Sequence, residues 1–213
     1  MVGRTRVKIC GMTDPFEVEK AVAAGVDALG FIFVPQSPRA IDHERAREII
    51  ADLPPFVDAV GVFLNEDPEV VGEIVNFCGL TVVQLHGQEP PDYCQMMPCR
   101  VIKAFQARAG MGPDVLEPYA EVVGAFLLDT YHPEMAGGTG LSFDWSLVEN
   151  LMPGRPLILA GGLNVDNVRA AIDQVHPFAV DVNSGIEVSP GRKDPEKIAA
   201  LLQQVARADN RCL

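Results

Sequence analysis

Two side chains stand where apolar runs end and could move protons: Cys10, closing VKIC, and Asp129, closing AFLLD. A thiolate takes a proton and a carboxylic acid gives one, so a facing pair is sufficient for general acid–base chemistry. A carboxylate ending so apolar a run is costly to bury and has its proton affinity raised, which suits an acid working near neutral pH. Taken singly, each has a plainer reading, Cys10 as a packing thiol and Asp129 as a helix cap or ion-pair partner. A second group suits an anion. Gly161 and Gly162 in LAGGLNVDN, which also holds Asn164, and Ser184 and Gly185 in DVNSGIE let backbone N–H groups approach a phosphate closely, and both loops lead toward helix starts. Arg39, Gln84 and His86 are the other polar residues that end or follow apolar runs. Gln84 and His86 share one face of their run by alternation, and a lone inward histidine shapes a site more often than it transfers protons.

These residues need elements that bring them to one place. Short runs rich in Val, Ile, Leu and Phe recur at residues 7–10, 28–34, 59–64, 81–86, 101–105, 125–129, 156–160 and 178–181. Their nearly continuous apolar character predicts strands of a parallel sheet buried on both faces. Between them, Asp14-Pro15, Asp42, Asp67-Pro68 and Asp194-Pro195 open segments with amphipathic spacing, each supplying a capping carboxylate or an N1 proline. Eight strands alternating with about eight helices predict a single-domain (βα)8 TIM barrel over residues 1–213, with residues 208–213 as a frayed tail. Such barrels gather their active sites at the C-terminal ends of the strands, where the polar residues above fall. A doubly wound open sheet is the alternative, but its G-x-G-x-x-G turn is missing after the first strand, which leads into Cys10-Gly11-Met12-Thr13.

Composition narrows the partners. A formal charge of −12, without a cluster of Lys and Arg interleaved with aromatics, argues against nucleic acid. A phosphorylated small molecule would then have to be met locally, by helix-start amides and one or two arginines. The apolar runs are far shorter than a membrane span and the N-terminus lacks a signal-peptide apolar region, so no membrane partner and a cytoplasmic location are expected. The five cysteines form an odd set without a CxxC pair, which predicts free thiols and neither a disulfide framework nor a structural metal.

Seven segments in order resemble the phosphoribosylanthranilate isomerase family: KICGMT (8–13), DALGFIFVPQSPRAI (27–41), VVQLHG (82–87), LLDT (127–130), GGTGLSFDW (137–145), LAGGL (159–163) and DVNSGIE (181–187). The resemblance runs nearly end to end. KICG and the SPR loop are individually distinctive, whereas LAGGL is shared by several phosphate-binding barrels. It implies the ribulose-phosphate-binding type of TIM barrel, and an Amadori rearrangement of N-(5-phospho-β-D-ribosyl)anthranilate to 1-(2-carboxyphenylamino)-1-deoxy-D-ribulose 5-phosphate, the third step of tryptophan biosynthesis from chorismate. It further implies no metal and no organic cofactor, and a monomer or homodimer. By the same resemblance Asp129 is the general acid, Cys10 the general base, Arg39 the partner of the anthranilate carboxylate, and Gly161, Gly162, Ser184 and Gly185 the phosphate ligands. Gly137, Gly138 and Gly140 form a flexible loop after the sixth strand that can fold over substrate.

A free thiol with a pKa of about 8.5 is only slightly ionised at neutral pH, so Cys10 needs help. Lys8 lies two positions earlier on the same face of the strand, and its charge, or a nearby helix N-terminus, is expected to favour the thiolate. Other sugar-phosphate barrels fit less well. A ribulose-phosphate epimerase needs several His and Asp metal ligands at strand ends, an indole-glycerol-phosphate synthase needs lysines there, and an enzyme of both the tryptophan and histidine pathways needs a second phosphate loop; GVFLNED (61–67) supplies neither the lysine nor the glycine pair. A non-enzymatic barrel predicts no acid and base facing each other.

Overall fold

The computed structural model describes residues 4–108, 110–129, 145, 148, 151 and 154–209. Eight parallel strands close a barrel in chain order. They are β1 (Arg6–Cys10), β2 (Ala28–Ile32), β3 (Asp58–Phe63), β4 (Val82–Leu85), β5 (Arg100–Gln106), β6 (Ala125–Asp129), β7 (Leu157–Ala160) and β8 (Ala179–Val182). Pairing of β8 with β1, from Arg6 opposite Ala179 to Ile9 opposite Val182, excludes an open sheet. Among the described residues the helices are α1 (Pro15–Ala24), α2 (His43–Ala51), α3 (Pro68–Cys78), α4 (Pro91–Gln95), α5 (Val168–Val175) and α6 (Pro195–Asp209). The capping signals act as read. Asp14, Asp42, Asp67 and Asp194 accept from the backbone N–H groups of Phe16, Arg45, Glu69 and Glu196, and Gly25 ends α1 at φ 93°.

Alternation decides what the barrel's interior holds. Val60, Val82, Ile102, Ala104, Ala125, Leu127, Ile158, Ala160 and Ala179 fill its lower interior, while the intervening residues, such as Ile9, Leu29 and Phe126, pack under the helices. Toward the C-terminal ends of the strands the same inward positions turn polar, with Lys8, Gln84 and Asp181 all buried. These polar groups stand above the apolar side chains of the interior.

Three departures from the sequence reading have physical causes. The β5–β6 connection carries only 3-10 turns, at Pro113–Val115 and Glu117–Tyr119, because Gly110, Gly112, Pro113 and Pro118 interrupt any i to i−4 ladder. An antiparallel hairpin, β9 (Glu187–Ser189) and β10 (Arg192–Lys193), follows β8, turning through Gly191 at φ 80°. Helix α6 continues through Ala208 and Asp209, which were expected to fray: Ala208 is buried, and Asp209 accepts from the Thr5 amide at 3.0 Å and its hydroxyl at 2.8 Å. Residues 210–213 lie outside the described residues.

A buried ion pair pins two rim loops. Lys103 of β5 donates to Glu89 Oε2 at 3.0 Å and to the Gly87 carbonyl at 2.8 Å, and Glu89 accepts from the amides of Asn65 and Gly87; both side chains are 1 % exposed. Removing one partner strands the other charge in the interior. Glu89→Ala is therefore expected to cost about 3–5 kcal/mol, read as a lower urea midpoint with an unchanged m-value.

Candidate active site

Cys10, Arg39, Gln84, His86, Asp129, Gly161, Gly162 and Ser184 line one cavity of about 480 Å³ at the barrel mouth. Its floor is Ile32, Val62 and Ala160, and Asp181 and Asn183 complete the wall. Two further positions from the sequence fall just outside this lining. Asn164 accepts from the amides of Asp166 and Asn167, and bridges to Gly185, joining the loops after β7 and β8. A Cβ on Gly185 would sit 2.0 Å from the Leu163 carbonyl oxygen, so only glycine lets these loops meet. Asn167, which the sequence reading did not single out, donates to the Gly162 carbonyl at 3.1 Å. Gly161 and Gly162 take φ 96° and 60°, a backbone course open to glycine. Gly137, Gly138 and Gly140 lie outside the described residues.

Cys10 is 5 % exposed, and Lys8 stands beside it: a Cβ on Gly30 would meet Cys10 Sγ at 2.9 Å and Lys8 Nζ at 3.1 Å. Gly30 thus makes room for both. Burial pushes the Cys10 thiol up; Lys8 draws it down, Asp181 pushes it up again, and burial prevails. Lys8 acts in the direction that favours the thiolate without outweighing burial. Its Nζ donates to Asp181 Oδ2 at 2.8 Å, so its charge is largely matched. Burial works against the Lys8 ammonium, but Asp181 and Cys10 hold its pKa above the ordinary value.

Asp129 is half-buried at the end of β6, in the wall between this cavity and a second of about 600 Å³ that also shares His86. It is therefore not sealed in apolar surroundings as AFLLD implied. Burial lowers the His86 pKa against the pull of Asp129 and Asp181, so the imidazole is neutral near pH 7. Gln84 Nε2 and His86 Nδ1 are hydrogen-bonded at 3.0 Å, which fixes the plane of the ring in the cavity wall.

Residues 7–204 match the model of the N-(5'-phosphoribosyl)anthranilate (PRA) isomerase family. The chain belongs to this family. It is 54% identical to the N-(5'-phosphoribosyl)anthranilate isomerase of Moorella thermoacetica, over 96% of this chain and 91% of that one. A phosphoribosyl anthranilate isomerase crystallised with reduced 1-(o-carboxyphenylamino)-1-deoxyribulose 5-phosphate superposes with a TM-score of 0.84 at 41% identity, covering 95% of this chain and 99% of that one. Crystals of mutually generated monomers of the dimeric Thermotoga maritima enzyme give a TM-score of 0.84 at 40% identity, covering 95% and 98%.

Sequence reasoning passed over one residue of the cavity wall, Asp181, and two charged residues behind Arg39, Glu187 and Lys193. Asp181 could have been found, because a carboxylate in the apolar run AVDV repeats the Asp129 pattern; its Oδ1 is buried without a hydrogen-bond partner. Glu187 and Lys193 gave no signal, since each reads as an ordinary charged loop residue until the hairpin folds back on Arg39. Among the described residues no group of three His, Cys, Asp or Glu side chains is placed to hold a metal, and no helix is long and apolar enough to cross a membrane. Cys78 and Cys94 are buried thiols raised to about 11, first by burial, which fits packing roles.

Proposed function

We propose how this chain performs the reaction of its family, the isomerisation of N-(5-phospho-β-D-ribosyl)anthranilate to 1-(2-carboxyphenylamino)-1-deoxy-D-ribulose 5-phosphate in tryptophan biosynthesis. Asp129 gives a proton to the furanose ring oxygen; the C1–O bond breaks as the anthranilate nitrogen lone pair forms a C1–N double bond. Cys10, as thiolate, takes the C2 proton, and the C2–H electron pair becomes the C1–C2 double bond of an enolamine while the imine electrons return to nitrogen. A proton gained at C1 and one lost from O2 then yield the ketone. No net proton or electron is consumed, so acid and base suffice.

One observation carries this reading: Cys10 and Asp129 open into the same cavity as Gly161, Gly162 and Ser184. The glycine loops receive the phosphate, and Arg39 the anthranilate carboxylate, which supplies local compensation in a chain of charge −12. Purified protein should quench the fluorescence of phosphoribosylanthranilate with saturable kinetics. Absence of turnover would overturn the proposal. Its place of action is the cytoplasm, consistent with four unpaired cysteines among the described residues.

The assembly we propose is a homodimer through the N-terminal end of the barrel. Phe56 is fully exposed at φ 73°, a strained backbone for phenylalanine, beside a cavity of about 620 Å³ lined by Leu53, Pro54 and Val57. A two-fold axis would seat each Phe56 in the partner's cavity, an isologous contact. Light scattering should give twice the chain mass, and Phe56→Lys should halve it without loss of the far-UV spectrum; a monomeric parent protein rules this assembly out.

A further inference from the structure

The guanidinium of Arg39 is already held by one edge. Its Nε donates to Glu187 Oε1 at 2.8 Å and its Nη2 to Glu187 Oε2 at 2.7 Å, whereas Nη1 has no partner among the described residues. Glu187 is in turn fixed by Lys193 Nζ at 2.8 Å and by the Gly191 amide at 3.2 Å. Lys193 also donates to Asn183 Oδ1 at 2.7 Å, and Thr13 Oγ1 to the Gly191 carbonyl at 3.1 Å, so the β9–β10 hairpin ties the loops after β1, β2 and β8 together. The arginine stem is confined as well, since a Cβ on Gly11 would lie 3.0 Å from Arg39 Cδ. Two cations share one carboxylate here, leaving one positive charge uncompensated beside the cavity that Arg39 lines.

We propose that Glu187 is a positioning residue: gripping the Nε/Nη2 edge of Arg39, it presents the Nη1/Nη2 edge to the substrate's carboxylate. This rests on the reading that Arg39 receives that carboxylate. A guanidinium offers two bidentate edges, and using one internally fixes the plane of the other before ligand arrives. A long side chain oriented in advance has less rotamer freedom to lose on binding. The hairpin thus serves the aromatic end of the substrate while its own strands stay outside the cavity.

The test uses the full chain with anthranilate and inorganic phosphate as competing inhibitors of turnover. Glu187→Gln is expected to weaken anthranilate inhibition and raise KM by about tenfold, with kcat and phosphate inhibition unchanged. Arg39→Lys, which keeps the charge but loses both edges, should give a similar loss, and the double variant should be little worse than either single one because both break the same contact. Losses that multiply, or anthranilate inhibition that is unchanged or tighter in Glu187→Gln, overturn the positioning role. If Arg39→Ala leaves anthranilate inhibition unchanged, the reading of Arg39 itself falls. Loss of phosphate inhibition in Glu187→Gln would mark general collapse of the mouth, and the Arg39→Lys pair of measurements then decides.

Discussion

Asp129→Asn is expected to lower kcat by about 10²- to 10⁴-fold while KM hardly changes. The amide has the carboxyl's shape and still forms hydrogen bonds, but has no proton to give a ring oxygen. Asp129 is half-buried at a strand end, with backbone hydrogen bonds that do not involve its side chain, such as Ala107 N to Asp129 O at 2.8 Å, so the barrel should persist. The comparison is made by steady-state kinetics on protein whose melting temperature matches the parent. A variant with full kcat would show that the ring opens without this acid.

Removing the base should cost as much. Cys10→Ala is expected to reduce kcat by about 10²-fold or more, since among the described residues no other thiol lines the cavity. The reactivity of Cys10 carries the finer expectation. Only the thiolate is alkylated, and burial holds the Cys10 pKa above its ordinary value. Alkylation of Cys10 by iodoacetamide should therefore climb with pH and keep climbing past about 8.5, where a free thiol is half ionised. Lys8→Met should move this curve further alkaline, because it removes the nearby cation and leaves Asp181 unmatched. An alkylation rate that is level from pH 6 to 9 would mean the thiolate exists at rest and that the electrostatic account of Lys8, Asp181 and Cys10 is mistaken.

A thiol that is protonated at rest but strongly basic when ionised is a reasonable compromise for taking a proton from carbon. The ammonium of Lys8 cannot be given wholly to Cys10 because an unpaired Asp181 would be costly at 7 % exposure. The site trades thiolate population for a stable interior.

Most of the barrel was legible in the chain, as was the meeting of Cys10 and Asp129 at its mouth. Apolar runs of strand length, separated by Asp and Pro caps, can be satisfied only by strands buried on both faces and covered by helices, and periodicity alone reports this. Position at strand ends, with the family resemblance, likewise identified Cys10, Arg39, Asp129 and the glycine loops. What tertiary structure decided is everything set by distance between elements remote in sequence. Lys8 meets Asp181 across 173 positions, which is why its charge is not free for Cys10, and Arg39 meets Glu187 across 148. Gly185 is needed for a carbonyl 2.0 Å away that belongs to another loop, and the mouth of the barrel depends on a hairpin whose residues read as solvent-facing charge. Burial and pairing set proton affinity and orientation, and both arise only when the ring of strands closes.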